Sequence, residues 1–257
     1  MTGTILRIVC LLAALFYYAA FGTTYLDKKH NKLSLILWGI GIALNGAIVI
    51  NNWIVNGYMP FVSMYQVLTF LGVTFALVYV YIRYMHEGAF MKRYFIVSQG
   101  VIMTGVFFMA QASEWNFPPA LQSAFFIPHV FSYMISYCLV AVAALLTVIS
   151  WFLKKDQFTL YQKGAYNLVL SGFPFMVLGM FLGALWANEC WGEYWSWDNK
   201  EVWSLVTVLS LSVYLHFRRQ EKLKKYASVF IVLAFAFEII TLFFVGMFGG
   251  DSVHAYN

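Results

Sequence analysis

Eight stretches of this chain run for about 20 residues with almost no charge, the length that crosses a hydrocarbon core. They cover approximately Ile5–Tyr25, Leu33–Val55, Phe61–Tyr81, Tyr94–Ala110, Phe126–Leu153, Tyr166–Trp186, Val202–His216 and Tyr226–Phe248. Nothing constrains the fold more. Inside lipid every backbone polar group must be satisfied internally, so only helices or closed barrels can span. No alternating barrel pattern is visible. The expected class is therefore all-α: a polytopic membrane helical bundle of about eight helices. Composition agrees, with 62% hydrophobic and 11% charged residues and a mean hydropathy of +0.74, against about 25% charged residues in soluble domains. The spans leave no room for a soluble domain, so residues 1–257 are expected to form one integral membrane domain. The first run lacks a small-residue cleavage site and is too long for a signal-peptide core, which keeps it as a span.

The basic residues alternate without exception along these spans. Lys28, Lys29 and Lys32, then Arg83, Lys92 and Arg93, then Lys154, Lys155 and Lys163, then Arg218, Arg219, Lys222, Lys224 and Lys225 fall on one side. Only Arg7 and Lys200 fall on the other. The positive-inside rule places the first set in the cytoplasm and both termini outside. The net charge of +5 then reflects topology and gives no sign of nucleic-acid binding.

On the outer side lies the segment from Trp186 to Trp203, five of the nine tryptophans within 18 residues, interleaved with acids. An interfacial aromatic belt would enrich tryptophan at helix ends. A belt spreads over many ends, however, and requires no fixed Trp-Gly-x-x-Trp-x-Trp-Asp spacing. An apolar shelf for a large planar ligand does require concentrated aromatic area. Two of the five histidines fall on the same side: His129 at the outer end of span five and His254 beyond span eight. His216 ends span seven on the cytoplasmic side, where a dipole partner for the helix terminus is the plainer reading. His30 and His86 read as solvated residues of basic loops. Neutral imidazole is the common axial ligand of haem iron, so two histidines beside an aromatic shelf form a coherent haem site, against the alternative that they meet there by coincidence.

The residues Trp191-Gly-x-Tyr-Trp-x-Trp-Asp198-x-Lys-Glu201 resemble the WWD signature of the haem-handling membrane proteins of cytochrome c biogenesis. The continuation Asp198-Asn-Lys200-Glu201-Val-Trp203 is most similar to the CcsA (ResC) family of the two-component System II haem lyase. The similarity extends from about Leu121 to Tyr256. It takes in Leu121-Gln-Ser-x-Phe-x-Ile-Pro-His129-Val, Gly183-Ala-x-Trp-Ala-Asn-Glu189, Tyr214-Leu-His216 and His254-Ala-Tyr. This marks 121–256 as a haem-handling core and 1–110 as four N-terminal spans with a weaker match. In Pro60-x-x-Ser63-Met-Tyr65-Gln66, Gln66 stands where the family has an acid and Met64 where it has an amide.

The resemblance implies roles by position. His129 and His254 would be the external axial ligands of haem iron. His216 would be the membrane histidine that acts with a histidine of a CcsB (ResB)-like partner subunit at an inner haem site. Haem b arrives as substrate, and the acceptor is an apocytochrome c with a Cys-x-x-Cys-His motif. Trp191, Tyr194 and Trp195, at spacings compatible with a helix, would cover one porphyrin face together with Trp197. Asp198 would orient donors or a histidine. Lys200 would meet a propionate, or else pair with Glu201 or Glu193. The implied location is the bacterial cytoplasmic (inner) membrane with the WWD segment on the periplasmic face, or a thylakoid membrane as the organellar equivalent. A CcmC-like role, delivering haem to a chaperone, is the nearer alternative. A small-molecule or proton-coupled transporter is the more distant one, with Glu238, the acid inside a span, as its candidate carrier. Cys10, Cys138 and Cys190 form no Cys-x-x-Cys pair, so the chain is neither a c-type cytochrome nor a thiol–disulfide relay.

Overall fold

In the computed structural model, residues 3–26, 31–86, 88–109 and 118–244 are described. The elements are helical and no strand occurs among the described residues. In chain order they are α1 (Gly3–Thr23), α2 (Asn31–Asn56), α3 (Met64–Met85), α4 (Lys92–Phe107), α5 (Phe126–Ser150), α6 (Lys155–Trp191), α7 (Asn199–Arg219), α8 (Lys224–Ala227) and α9 (Val229–Ile239). The last two, with a π-helical turn over Ile240–Phe244, make the eighth rod, Lys224–Phe244. Among the described residues, six helices are long and apolar enough to cross a membrane. The others are α4, only 16 residues long, and α7, which carries hydroxyls throughout its length at Ser204, Thr207, Ser210 and Ser212.

The side chains are sorted as lipid requires. Large apolar residues face outward, with Ile54 at 76% exposure and Phe181 at 60%, while Asn45, Gln66, Gln99 and Ser136 are fully buried. A soluble bundle does the reverse. The chain is thus a multi-pass membrane protein of eight helical rods.

It divides into two compact units, Met1–Gln122 and Ser123–Asn257. In the first, α1 packs on α2 and α4, and α3 on α2 and α4. Gln99 of α4 joins all four helices. Trp38 Nε1 donates to Gln99 Oε1 (2.6 Å), while Gln99 Nε2 donates to Gly72 O (2.7 Å) and lies 3.4 Å from the Tyr17 hydroxyl. Such polar side chains hold helices together where lipid supplies no hydrophobic drive between them. The entry to α3 is also built by polar side chains. Ser63 Oγ accepts from Gln66 N, and Gln66 Oε1 accepts from Val62 N and Ser63 N, which is a capping box. Gln66 thus caps α3 with a neutral oxygen.

In the second unit, α5 lies along α6, α7 packs on α9, and α5 and α6 also meet α9 and α7 respectively. Its core includes Leu139, Val142, Leu168, Val169, Met176 and Ile231. The sixth rod departs from its expected bounds. It was placed at Tyr166–Trp186, but α6 covers 37 residues, or about 55 Å at the α-helical rise. The polar stretch Lys155–Lys163 contains neither Gly nor Pro and stays helical beyond any bilayer. At the other end the aromatic residues do not stop the helix; Gly192 does, at φ +80, its N–H donating to Asn188 O. Trp191 therefore ends a helix, whereas Tyr194, Trp195 and Trp197 lie in the connection after it. The helical spacing expected for Trp191, Tyr194 and Trp195 is corrected accordingly.

Glu238 of α9 is 1% exposed, and neither carboxyl oxygen has a hydrogen-bond partner among the described residues. It lies within electrostatic reach of Tyr137 and Cys138 on α5.

Candidate functional site

The site forms where α5 begins and α6 ends. Ser123 fastens the two together, its hydroxyl donating to Glu189 Oε2 and accepting from Phe125 N. One turn into α5, His129 turns its ring toward α6. Its Nδ1 is 2.8 Å from the carbonyl oxygen of Gly179. A carbonyl only accepts, so Nδ1 carries the proton and the lone pair of the neutral ring sits on Nε2. The ring lies on Trp186 at 5.6 Å between centroids, tilted by 31°, and edge-on to Tyr133 at 5.0 Å. Trp186 meets Phe126 (5.1 Å) and, edge-on, Trp191 (5.2 Å). Gly179, Gly183 and Trp186 are spaced for one face of α6, and that face receives the histidine. Tyr133, one turn below His129, hydrogen-bonds to Ser204 of α7.

The connection between α6 and α7 holds the other aromatics. Trp195 and Trp197 pack edge-to-face at 5.9 Å. Trp197 adopts φ +60 and is 68% exposed; Tyr194 is 58% exposed. A left-handed tryptophan is held only where its surroundings over-determine the backbone, and Asp198 and Glu201 do this. Asp198 caps α7 by accepting from Lys200 N at 2.8 Å, and Glu201 Oε2 reaches back to Ser196 N (2.9 Å), Ser196 Oγ (3.3 Å) and Asp198 N (3.2 Å). This second capping box fixes where the tryptophans sit. Asp198, expected to orient donors or a histidine, thus orients backbone donors. Lys200 stands half-buried in the first turn, ahead of the apolar stretch that begins at Val202. Burial lowers its pKa below the ordinary lysine value, and the neighbouring Asp198 opposes that shift.

His216 lies in the last turn of α7 with Arg218 and Arg219, and Gln220 Nε2 donates to its Nε2 at 2.8 Å. It is at the opposite end of α7 from Lys200. His86 caps α3 through its backbone N–H. His254 and His30 lie outside the described residues. The structure therefore gathers His129, Trp191, Tyr194, Trp195, Trp197, Asp198 and Lys200 around the ends of α5, α6 and α7, and sets His216 apart. Sequence reasoning missed Tyr133, Gly179, Gly183 and Glu201 as parts of the site. For Glu201 the signal was present in Asp198-x-x-Glu201 ahead of an apolar run. For the glycines it was the four-residue spacing Gly179-x-x-x-Gly183, a mark of close helix approach.

This arrangement can be set beside known proteins. The family model described as cytochrome c assembly protein matches residues 61–250. The cytochrome c biogenesis protein CcsA of Chlamydomonas reinhardtii is 28% identical over 252 residues, which cover 90% of this chain and 70% of that protein. The CcsA of Trieres chinensis is 27% identical over 295 residues, 97% of this chain and 94% of that one. Among solved structures, the cytochrome c haem lyase CcmF superposes with a TM-score of 0.73 at 17% identity, over 96% of this chain. The chain spans 48% of the length of that structure, and the likeness speaks for the fold alone. With the family's model covering about three quarters of its length, the chain belongs to the cytochrome c assembly protein family, and its function is cytochrome c assembly.

Proposed function

We propose that this protein binds haem b at the outer face of the bacterial cytoplasmic membrane and presents it, with a CcsB-like subunit, to an apocytochrome c. The observation that carries this reading is the seating of His129: its Nδ1 faces the Gly179 carbonyl, which leaves Nε2 as the ligating nitrogen, and its ring lies on Trp186, which in turn meets Trp191. Residues 121–256 form the haem-handling core of a single integral membrane domain. His129 and His254 would hold the haem iron, Trp191, Tyr194, Trp195 and Trp197 would cover the porphyrin, and Lys200 would meet a propionate. His216 serves an inner site completed by a histidine of the partner.

The chemistry asks for little beyond placement. Each acceptor thiol adds across a haem vinyl group: sulfur bonds to the vinyl carbon next to the ring, the hydrogen goes to the terminal carbon, and no net redox change occurs. The protein contributes proximity and orientation, and the porphyrin supplies the reactive group. Release requires that one histidine yield its place on iron to the histidine of the acceptor motif.

Co-expression with a CcsB-like subunit and a reporter apocytochrome tests this. The combined His129→Ala and His254→Ala variant is expected to abolish covalent haem on the reporter and to lower the Soret band of the purified complex, leaving the share held at the inner site. Normal reporter yield with both histidines removed would reject the assignment.

A further inference from the structure

The two glycines opposite His129 have a geometry that helix packing alone does not demand. A β-carbon built on Gly183 would stand 2.6 Å from His129 Cε1 and 2.7 Å from Nδ1; one on Gly179 would stand 3.0 Å from the Tyr133 ring. The imidazole thus rests directly on the α6 backbone, in the space that a side chain at Gly183 would fill. Gly179 meanwhile supplies the carbonyl that takes the Nδ1 proton. A third glycine in the same interface, Gly172, meets Leu139 and the Ser136 carbonyl and no histidine, its added β-carbon lying 3.1 Å from the Leu139 β-carbon. The α5–α6 seam therefore has a packing end at Gly172 and a histidine end at Gly179 and Gly183.

We infer that Gly179 and Gly183 are positioning residues that select the iron-binding nitrogen of His129: Gly183 by leaving room for the ring, and the Gly179 carbonyl by holding the proton on Nδ1. The inference rests on the proposed role of His129 as a haem ligand. Physically, a backbone acceptor on Nδ1 fixes the tautomer and ring orientation and raises the basicity of the other nitrogen. A neutral acceptor does this without adding charge to the iron site. That suits a ligand that has to let go. A carboxylate in the same place would bind the N–H more strongly and give a less exchangeable ligand.

The test uses the full chain with its partner subunit, titrated with haem. Gly183→Ala is expected to weaken haem binding by about 10- to 100-fold, the range typical of removing an outer partner of a metal ligand, and to alter the Soret and α bands. Gly172→Ala, which loads the same interface without touching the histidine, is expected to leave affinity and spectrum unchanged. An unchanged Gly183→Ala protein, or the same spectral change in Gly172→Ala, overturns the inference.

A second measurement leaves the glycines in place. In His129→Gly, free imidazole and 4-methylimidazole, which keep an N–H for the Gly179 carbonyl, are expected to restore the low-spin spectrum at concentrations about tenfold lower than 1-methylimidazole, which has none. Equal rescue by all three overturns the role of the carbonyl. A wild-type spectrum in His129→Ala would instead reject the ligand assignment itself, so the two failures are distinguishable.

Discussion

At the residue scale the best-defined signal of this chain carries two messages, and the sequence displays one more openly than the other. The run Trp195-x-Trp197-Asp198-x-Lys-Glu201 stands out for its aromatics, but its acids are structural: Asp198 caps α7 and Glu201 ties the preceding backbone. Replacing Asp198 tests this directly. Asn is as good an N-cap as Asp, whereas Ala loses about 1 kcal/mol. Asp198→Asn is therefore expected to retain the thermal stability of the purified protein and its reporter cytochrome yield, and Asp198→Ala to lower both. An Asp198→Asn protein of normal stability with no cytochrome yield would show that the charge itself is needed at the site. The seat of His129 was less legible. A glycine shows that something approaches closely, but what approaches depends on the partner helix, so Gly183 acquires meaning only once α5 lies against α6.

At the scale of elements, helix existence was legible and helix ends were not. Apolar length decides which segments enter lipid, so all eight rods were visible as charge-poor runs. Their ends answer to local chemistry that hydropathy ignores. The helix α6 begins at Lys155 because the polar stretch Lys155–Lys163, free of Gly and Pro, can continue a helix into water, and it ends at Gly192 because that residue adopts positive φ. The capping box moves the start of α7 from Val202 to Asn199. Within the bundle, Gln99 joins four helices from inside an apolar run, a role that hydropathy does not display. Gln99→Leu strands the Trp38 N–H in a dry core, a loss of about 1–3 kcal/mol. Measured couplings between membrane helices are often smaller, nearer 0.6 kcal/mol. Unfolding of the purified protein in detergent is expected to shift to lower temperature or denaturant by an amount in that combined range. No shift would mean that the Gln99 hub contributes little to stability.

At the scale of the whole molecule the question is sidedness, which neither helix packing nor family membership fixes. The argument is electrostatic. Fourteen of the 16 Lys and Arg fall in alternate connections, and the cost of carrying such clusters across a membrane sets orientation. The two ends of α7 offer a clean test, because they carry opposite features: the tryptophan connection with 58%-exposed Tyr194 before it, and the cluster Arg218, Arg219, Lys222 at and beyond its other end. Cys10 and Cys138 are buried, so Cys190→Ser suffices to quiet the native thiols. In that background Tyr194→Cys is expected to react with a membrane-impermeant maleimide in intact cells. Lys222→Cys is expected to react only after permeabilisation. The reverse pattern would turn the protein over and put the tryptophans in the cytoplasm. An outward haem site would then be untenable. Reaction of both positions in intact cells would mean that α7 does not cross the bilayer. This is a real alternative for one of the two helices that fall short of a span by length and composition. The expected pattern would instead make α7 a span despite its hydroxyls, with Ser204 and Ser210 satisfied by Tyr133 and by the backbone of Phe230. That is how a polar helix can cross when its neighbours supply the partners that lipid cannot.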